Sequence, residues 1–317
     1  MPEIITLGET MAALTPKETG YLHYVRDYGM RIAGAESNLA IGLCKLGHSA
    51  AWISSLGADE LGYFVNNSIR AEGVDTRYVK FDPQHRTGLM LKQALPGKET
   101  SVFYYRENSA AANMQAQELR VEMFAEGKIL HLTGITPVLS DSCREVVFKA
   151  IEFAKKAGLK ISFDPNIRKK LWKDTDFTPV LKEIVQCSNI LMLGLSEAQV
   201  LYGSSEKEEI VKAFFENEAA EYLAVKDGKN GAYVADRQGG HTILPHPCKP
   251  VDPIGAGDAF NAGFLCGLLE QRTVQEAGKI AAVAGAMATE SLGDIEGYPS
   301  RVSIQHILDE KDTEIYR

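Results

Sequence analysis

The stretch "VDPIGAGDAFNAGF" (251–264) sets Gly255 and Gly257 around Ala256, follows them at once with the carboxylate of Asp258, and continues in large apolar side chains. Phe260, Phe264 and Leu268 recur every fourth residue, and Gly263 and Gly267 permit close packing, so the spacing predicts a helix from Ala256 onward. Gly255, Ala256 and Gly257 then lie at its N-terminus. Free N–H groups and the positive end of the helix dipole meet there and favour an anion, and glycine lets that anion come close to the backbone. Neither common phosphate fingerprint is present: the Lys-Ser/Thr pair of one and the third glycine of the other are missing. A carboxylate beside a bound phosphate is repulsive unless an acceptor hydroxyl lies between them. With an ordinary pKa of about 3.9, Asp258 is ionised at neutral pH. It would take the hydroxyl proton while the N–H groups hold the charge growing on a phosphoryl group in transfer. On these residues alone, a simple helix cap accounts for Asp258 equally well.

Such a turn needs a scaffold. Six short apolar runs close on glycine or a small polar residue: "IITLGE" (4–9), "AAWISSLG" (50–57), "KILHLTG" (128–134), "KISFDP" (160–165), "NILMLG" (189–194) and "YLAVKDG" (222–228). Helix-like stretches separate most of them. "ESNLAIGLCKLG" (36–47) stops on Gly47, and "DSCREVVFKAIEFAKKAG" (141–158) opens on an N-cap residue and stops on Gly158. Strands alternating with helices predict an α/β fold with a mostly parallel sheet covered on both faces. Ligands in such sheets collect beyond the carboxyl ends of the strands, so the polar residues closing these runs are candidates for the site. "YVADRQGGHTILP" reads as a hairpin. Residues 10–33 and 87–106 break the rhythm. They are rich in β-formers, turn at Lys17–Gly20 and Pro96–Glu99, and predict a small projecting sheet able to act as a lid that excludes water. With no repeat or long linker, one domain is expected across 1–317.

Composition narrows the function. The formal net charge of -8 and the lack of a long basic run argue against nucleic acid as partner. The five cysteines (44, 143, 187, 248 and 266) include no CxxC pair, and the histidines are scattered, so neither a disulfide frame nor a zinc site is expected and a reducing cytoplasm fits. No signal peptide and no apolar run of membrane-spanning length is visible.

"DPIGAGDAF" resembles the D-x-x-G-A-G-D signature of the ribokinase-type (PfkB) carbohydrate kinases. The resemblance spans nearly the whole chain, since "AGAESNLAIGLCKLG" (33–47) and "SLGADELG" (55–62) match the amino-terminal motifs of that family. It implies a doubly wound, ribokinase-like core with a small β-sheet lid, ATP as phosphoryl donor with Mg²⁺, and a monovalent cation such as K⁺ near the Asp252–Gly257 turn. By resemblance Asp258 is the general base and Gly255, Ala256 and Gly257 the anion hole. Gly34 and Asn38 contact the sugar, Asp252 supports the sugar and the turn, and "VKDGKNGAYV" (225–234) puts Lys226, Gly228 and Gly231 near ATP, with Asn166 on the same side. The family's N-x-x-E reads "GLSE" (194–197) here: Glu197 matches as the metal-side residue, reaching Mg²⁺ through water or only capping a helix, but Gly194 replaces the asparagine.

Three further motifs, "YYRENSAA" (104–111), "SFDPNIRKKLW" (162–172) and "GDIEG" (293–297), resemble the branch that phosphorylates the terminal hydroxyl of 2-keto-3-deoxygluconate. In that branch the positions of Arg106 and Arg168 face the sugar acid, and that of Asp294 lies near the hydroxyl end. A tyrosine common in the strand matching "TGLML" is absent here. Arginine meets a carboxylate in bidentate fashion, which fits an acidic sugar independently; the alternative for both arginines is a solvated surface position. Tyr104 and Tyr105 alternate along a strand, so one faces the substrate and the other packs the lid. A neutral-sugar kinase (fructose or ribose-like), a non-catalytic sugar- or nucleotide-binding regulator and a dehydrogenase are the competing readings. The last lacks a glycine fingerprint at "IITLGETM". Exposed lid edges predict a homodimer joined through the lid.

Overall fold

All six apolar runs form strands, and successive side chains along them enter opposite cores. The structure, a computed structural model, describes residues 2–93, 95 and 101–313. The chain opens with β1 (Ile4–Leu7), β2 (Met11–Pro16), β3 (Tyr28–Ala33), α1 (Ala35–Lys45), β4 (Ala50–Gly57), α2 (Glu60–Ala71), β5 (Val79–Asp82), β6 (Leu89–Gln93) and β7 (Ser101–Tyr105). It continues with β8 (Ile129–Thr133), α3 (Asp141–Ala157), β9 (Lys160–Asp164), α4 (Lys169–Trp172), α5 (Thr178–Gln186), β10 (Ile190–Gly194), α6 (Leu195–Tyr202) and α7 (Lys207–Phe215). β11 (Tyr222–Lys226), β12 (Ala232–Asp236), β13 (Gly239–Ile243), α8 (Ala256–Leu269), α9 (Val274–Ala288) and α10 (Arg301–Thr313) complete it.

Nine strands form the main sheet in the order β13-β12-β11-β10-β9-β8-β1-β4-β5, parallel except where β12 and β13 turn back as the expected hairpin. β1 pairs with both β4 and β8, so the order reverses beside it, as in a doubly wound sheet. Ile4, Ile129, Ile190 and Met192 pack against α1, α8 and α9, whereas Ile5, Leu130, Leu191 and Leu193 pack against α3, α5 and α6. Burial on both faces explains why the strands read as unbroken apolar runs rather than alternating ones. α3 is capped by Ser140, whose hydroxyl accepts from the Cys143 N–H, one residue before the expected start, and it ends on Gly158 in the left-handed conformation, φ +77°.

The helix α8 lies unusually close to α9. A Cβ on Gly267 would stand 2.5 Å from Ala277 Cα, and one on Gly263 2.8 Å from Ala281 Cα. These glycines therefore set how deeply α8 sits, and with it the height of the turn at its N-terminus.

The two segments that broke the rhythm supply a separate four-stranded sheet, β3-β2-β6-β7. β6 and β7 pair antiparallel as expected of a hairpin, while the turn expected at Pro96–Glu99 lies outside the described residues. One face of this sheet presents Met11, Ala13, Ala33, Met90, Val102 and Tyr104 to one another. The other carries an aligned row, Met30–Leu14–Leu91–Phe103, with Phe103 45% and Met30 46% exposed.

Candidate active site

A cavity of about 670 Å³ lies where the carboxyl ends of β9 and β11, the N-terminus of α8 and the inner face of the small sheet converge. Gly255, the N-cap of α8, has φ +84°, and a Cβ there would lie 2.0 Å from Asp294 O, so this position requires glycine on two counts. At Gly257 a Cβ would meet only Lys226 Nζ, 3.9 Å away. The helix N–H groups and the lysine ammonium thus face one space that only a side-chain-free residue leaves open, which fits a phosphate. Asp252 lies outside the cavity lining and holds the turn instead, accepting from Ile254 N at 3.1 Å and Gly293 N at 3.4 Å. Ala256 is absent from the cavity lining, and its N–H donates to Pro253 O at 3.4 Å.

Asp258 borders the cavity one residue beyond. Asn38 Nδ2 donates to its Oδ2 at 2.8 Å and reaches Asp294 Oδ2 at 3.5 Å, while Lys92 Nζ donates to Asp294 Oδ1 at 2.6 Å. Desolvation pushes the Asp258 pKa up to about 7; the Asn38 bond opposes this and the nearby charges of Asp164 and Asp294 add to it. Burial likewise raises the Asp294 pKa against the pull of Lys92. Gly34 caps α1, where a Cβ would meet Thr10 Oγ1 at 2.5 Å and Glu9 O at 2.6 Å, so glycine lets α1 approach the end of β1 and brings Asn38 to the cavity.

Lys226, closing β11, donates to Asp164 Oδ2 at 2.8 Å and Asn261 Oδ1 at 3.3 Å, and Asn261 Nδ2 donates to the same Asp164 oxygen at 2.5 Å. Burial raises the Asp164 pKa, but Lys226 and Asn261 outweigh it and keep the group an anion. Asn166 lines the cavity with φ +39°, its N–H donating to Asp164 Oδ1. Gly228 and Gly231 lie on the turn beyond β11 and do not line this cavity. At Gly231 a Cβ would strike Ile243 O at 2.1 Å, so packing against β13 requires that glycine.

Glu197 lines the cavity, yet both its oxygens are engaged: Oε2 accepts from Gly194 N at 2.7 Å and Oε1 from Ile167 N at 2.8 Å. The carboxylate caps α6 and ties down the loop after β9. Burial, followed by the charge of Asp164, raises its pKa. Each oxygen keeps a second lone pair beyond its N–H bond, so the carboxylate fits a Mg²⁺ ion held through one of the waters that ion retains, as well as the helix cap.

Of the two arginines, Arg106 is buried and already has a carboxylate: Nε donates to Glu9 Oε2 at 2.7 Å, with Nη2 at 2.5 Å, and Ser109 Oγ donates to Oε1 at 2.6 Å. A desolvated guanidinium at the end of the small sheet requires such a counter-charge, which the expectation of an arginine open to substrate did not include. Tyr104 stacks near it, the guanidinium carbon 5.6 Å from the ring centroid, and also lines the cavity. Tyr105 points the other way and is 65% exposed, so it does not pack the lid as expected. Arg168 is exposed at the start of α4 and lines the cavity together with Lys169 and Lys170. Every substrate-side residue named from the sequence except Asp252 therefore borders one space. Glu9, Lys92, Asp164 and Asn261 were not named individually. Glu9 and Asp164 close the runs "IITLGE" and "KISFDP", so the strand-end rule does point to them, whereas nothing local marks Lys92 or Asn261.

Replacing Gly257 with valine fills the space between the helix N–H groups and Lys226. The protein should stay folded, since no neighbour other than that ammonium lies within 4 Å, and phosphoryl transfer should collapse. A circular-dichroism melt together with an ADP-release assay checks this; surviving turnover would remove the anion from this turn.

Comparison with known proteins gives this architecture a family. The chain is 33% identical over 316 residues to a 2-dehydro-3-deoxygluconokinase of Bacillus subtilis (strain 168), covering 98% of this chain and 97% of the relative. It is 30% identical to a 2-dehydro-3-deoxygluconokinase of Thermoproteus tenax, covering 97% and 94%. Among solved structures, a PfkB protein from Polaromonas sp. JS666 superposes with a TM-score of 0.87 at 31% identity, covering 96% and 99%. A fructokinase double mutant from Vibrio cholerae O395, solved with fructose, ADP and potassium ion, superposes with a TM-score of 0.87 at 27% identity, covering 97% and 98%. The profile described as pfkB family carbohydrate kinase matches residues 1–301, and the chain belongs to that family of sugar kinases.

Proposed function

We propose that this kinase transfers the γ-phosphoryl group of ATP to the terminal hydroxyl of 2-keto-3-deoxygluconate (2-dehydro-3-deoxygluconate). The observation that carries the reading is the placement of Asp258 and the Gly255–Gly257 turn on one cavity with Arg168, Lys169 and Lys170. The first two suit phosphoryl transfer and the three cations suit an acid. The names of the Bacillus and Thermoproteus relatives support the same substrate.

The residues divide the work by position. Bound ATP supplies the phosphoryl group. The N–H groups of Gly255, Ala256 and Gly257 hold the charge on the transferring group, and Lys226 faces it from the opposite side. Asp258 takes the proton of the acceptor hydroxyl. Asn38 orients Asp258, and its own Oδ1, which has no hydrogen-bond partner among the described residues, is left to accept from a sugar hydroxyl. Asp294, fixed by Lys92, accepts from another. Arg168 binds the sugar carboxylate, and Arg106 joins it as Glu9 yields part of the guanidinium fork. The potassium ion in the Vibrio relative's structure supports a monovalent cation in this kinase, and the family resemblance puts it near the Asp252–Gly257 turn. Mg²⁺ bound with ATP would neutralise charge on the phosphates, and Glu197, in the cavity lining, would hold it through water.

A neutral ketose is the second reading. It is favoured by the Glu9–Arg106 pair, which neutralises one of the two arginines within the protein itself. ADP release measured across 2-keto-3-deoxygluconate, its galactonate epimer, fructose and ribose decides between them. The acid should give the highest kcat/KM, and a preference for fructose or ribose would leave only the kinase class.

We further propose that the small sheet closes over the cavity and joins two copies through its outer row, Met30–Leu14–Leu91–Phe103. Wild-type protein should sediment as a dimer, and Phe103→Glu, which puts a charge in that row, should give monomers with an unchanged melting curve. Monomeric wild-type protein would sink the assignment.

A further inference from the structure

Towards the far end of α8 from Asp258, about 12–18 Å along the axis at 1.5 Å per residue, a second group of chemically active side chains converges. Cys266 and Glu270 stand one turn apart at the C-terminus of α8, and His48 reaches them from the loop between α1 and β4. One ligand atom from each of the three lies within 4.8 Å of the others. His48 Nε2 is 3.6 Å from Glu270 Oε1, and Cys266 Sγ is 3.4 Å from the same oxygen. Around a tetrahedral zinc ion, bonds of about 2.3 Å to sulfur and about 2.0–2.2 Å to nitrogen and oxygen separate the ligand atoms by roughly 3.4–3.6 Å. The two measured separations already have that value.

The surroundings fit as well. His48 Nδ1 lies 3.1 Å from Glu3 Oε2, and Lys128 Nζ holds the other Glu3 oxygen at 2.8 Å. With Nδ1–H donating to Glu3, the Nε2 lone pair points towards the Glu270 carboxylate, and Nε2 has no hydrogen-bond partner among the described residues. A lone pair facing a carboxylate oxygen is repulsive unless a proton or a cation lies between them. A carboxylate behind the imidazole is also the usual way a metal-binding histidine is oriented. Arg301 supplies positive charge here: Nη1 pairs with Glu270 Oε1 and lies 3.7 Å from Cys266 Sγ. Its side chain is 45% exposed, so its contacts with Glu270 Oε1 and, at 3.4 Å, Leu46 O can be exchanged for water, while Arg272 Nε keeps the other Glu270 oxygen at 3.1 Å and leaves Oε1 as the ligand atom.

We propose that His48, Cys266 and Glu270 form a binding site for a borderline-soft divalent metal of the zinc class, with Glu3 orienting the histidine and Arg301 leaving as the ion enters. Nitrogen, sulfur and oxygen donors together select such an ion over Mg²⁺, which prefers oxygen alone. On binding, the Cys266 S–H bond breaks, its proton passes to solvent and the sulfur–metal bond forms. One thiolate and one carboxylate then balance the two charges of the ion, and the fourth position goes to water. The departure from the expectation drawn from cysteine spacing has a simple cause: only Cys266 and Glu270 are neighbours in sequence, and the fold brings in the histidine from the opposite end of the chain.

The test uses full-length protein stripped with a chelator and titrated with Co²⁺ in excess Mg²⁺. One Co²⁺ per chain should bind with a thiolate-to-cobalt charge-transfer band and tetrahedral visible bands, and Zn²⁺ should displace it. Cys266→Ser should abolish the charge-transfer band, His48→Gln should weaken binding at least tenfold, and Arg301→Gln should strengthen it. Cys248→Ser, which alters the exposed cysteine, and Asp258→Asn should leave the band intact. No band in the wild type, or a band that survives Cys266→Ser, would overturn the proposal. So would tight binding unaffected by His48→Gln, a variant that also answers should Cys266→Ser fail to fold. None of these readouts depends on the sugar substrate.

Discussion

Asp258→Asn should lower kcat by roughly 10²–10⁴, the range for loss of a general base, and leave ATP affinity little changed. Asparagine keeps the shape and can still accept from Asn38, but it cannot take a proton. The expectation has a pH signature as well. The Asp258 pKa in the free protein is pushed up to about 7, and only the ionised form acts as base. Wild-type kcat/KM should therefore fall as pH drops through about 7 and level off above it. Because the bond from Asn38 holds that pKa down, Asn38→Ala should move the limb to higher pH. Near-normal turnover in Asp258→Asn would reduce the carboxylate to a helix cap, and a pH profile flat from 6 to 8 would separate the limb from this residue.

The second large effect concerns the arginines. Truncating one partner of a desolvated charge pair costs about 2–5 kcal/mol. With the small sheet closed over the substrate, Arg168→Ala should therefore cut kcat/KM for 2-keto-3-deoxygluconate by well over tenfold. A neutral ketose of similar length has no carboxylate to lose and should be affected much less, so the preference for acid over neutral sugar should shrink. Arg168→Lys should restore only part of the loss, because an ammonium keeps the charge but not the planar fork. Arg106→Ala is expected to act in the same direction but carries a second cost, since it strands Glu9, a buried carboxylate. The double variant Arg106→Ala/Glu9→Gln separates the two. Stability should return while the loss on the acid remains. Equal losses on both sugars would make these arginines structural.

Much of the scaffold was legible because local chemistry and tertiary fate agree there. An apolar run closed by glycine has few alternatives to a buried strand, and all six runs became parallel strands. The turn was legible at Gly255 for a similar reason, since positive φ and close approach both demand glycine there, whereas at Gly257 no neighbour in the fold demands it. The partnerships within the site were not. Lys92 sits in a strand of the small sheet with nothing in its neighbourhood to mark it, and its partner Asp294 lies two hundred residues further on. The same holds for Glu9 with Arg106 and for Asp164 with Lys226. A strand end identifies a candidate, but only the fold says whether its charge is spent on a neighbour or kept for a ligand. Tyr105 shows the reverse error: alternation required one of the two tyrosines to turn away from the cavity, but among the described residues Tyr105 stays 65% exposed instead of packing the lid.

The position of β1 bears on how the chain is made. Of the strands described, β1 is made first, and it is an interior strand of the finished sheet, buried along its whole length between β4 and β8. Ala50, its partner on one side, follows soon after Ile4, but Ile129, its partner on the other, comes about 125 residues later. At roughly 5–20 residues per second, one edge of β1 stays unpaired for about 6–25 s after it is synthesised. An unpaired apolar edge is a template for pairing with other chains. During that interval the nascent polypeptide is exposed to misassociation with its neighbours on the same message, and chaperone cover matters most for the segment before Ile129.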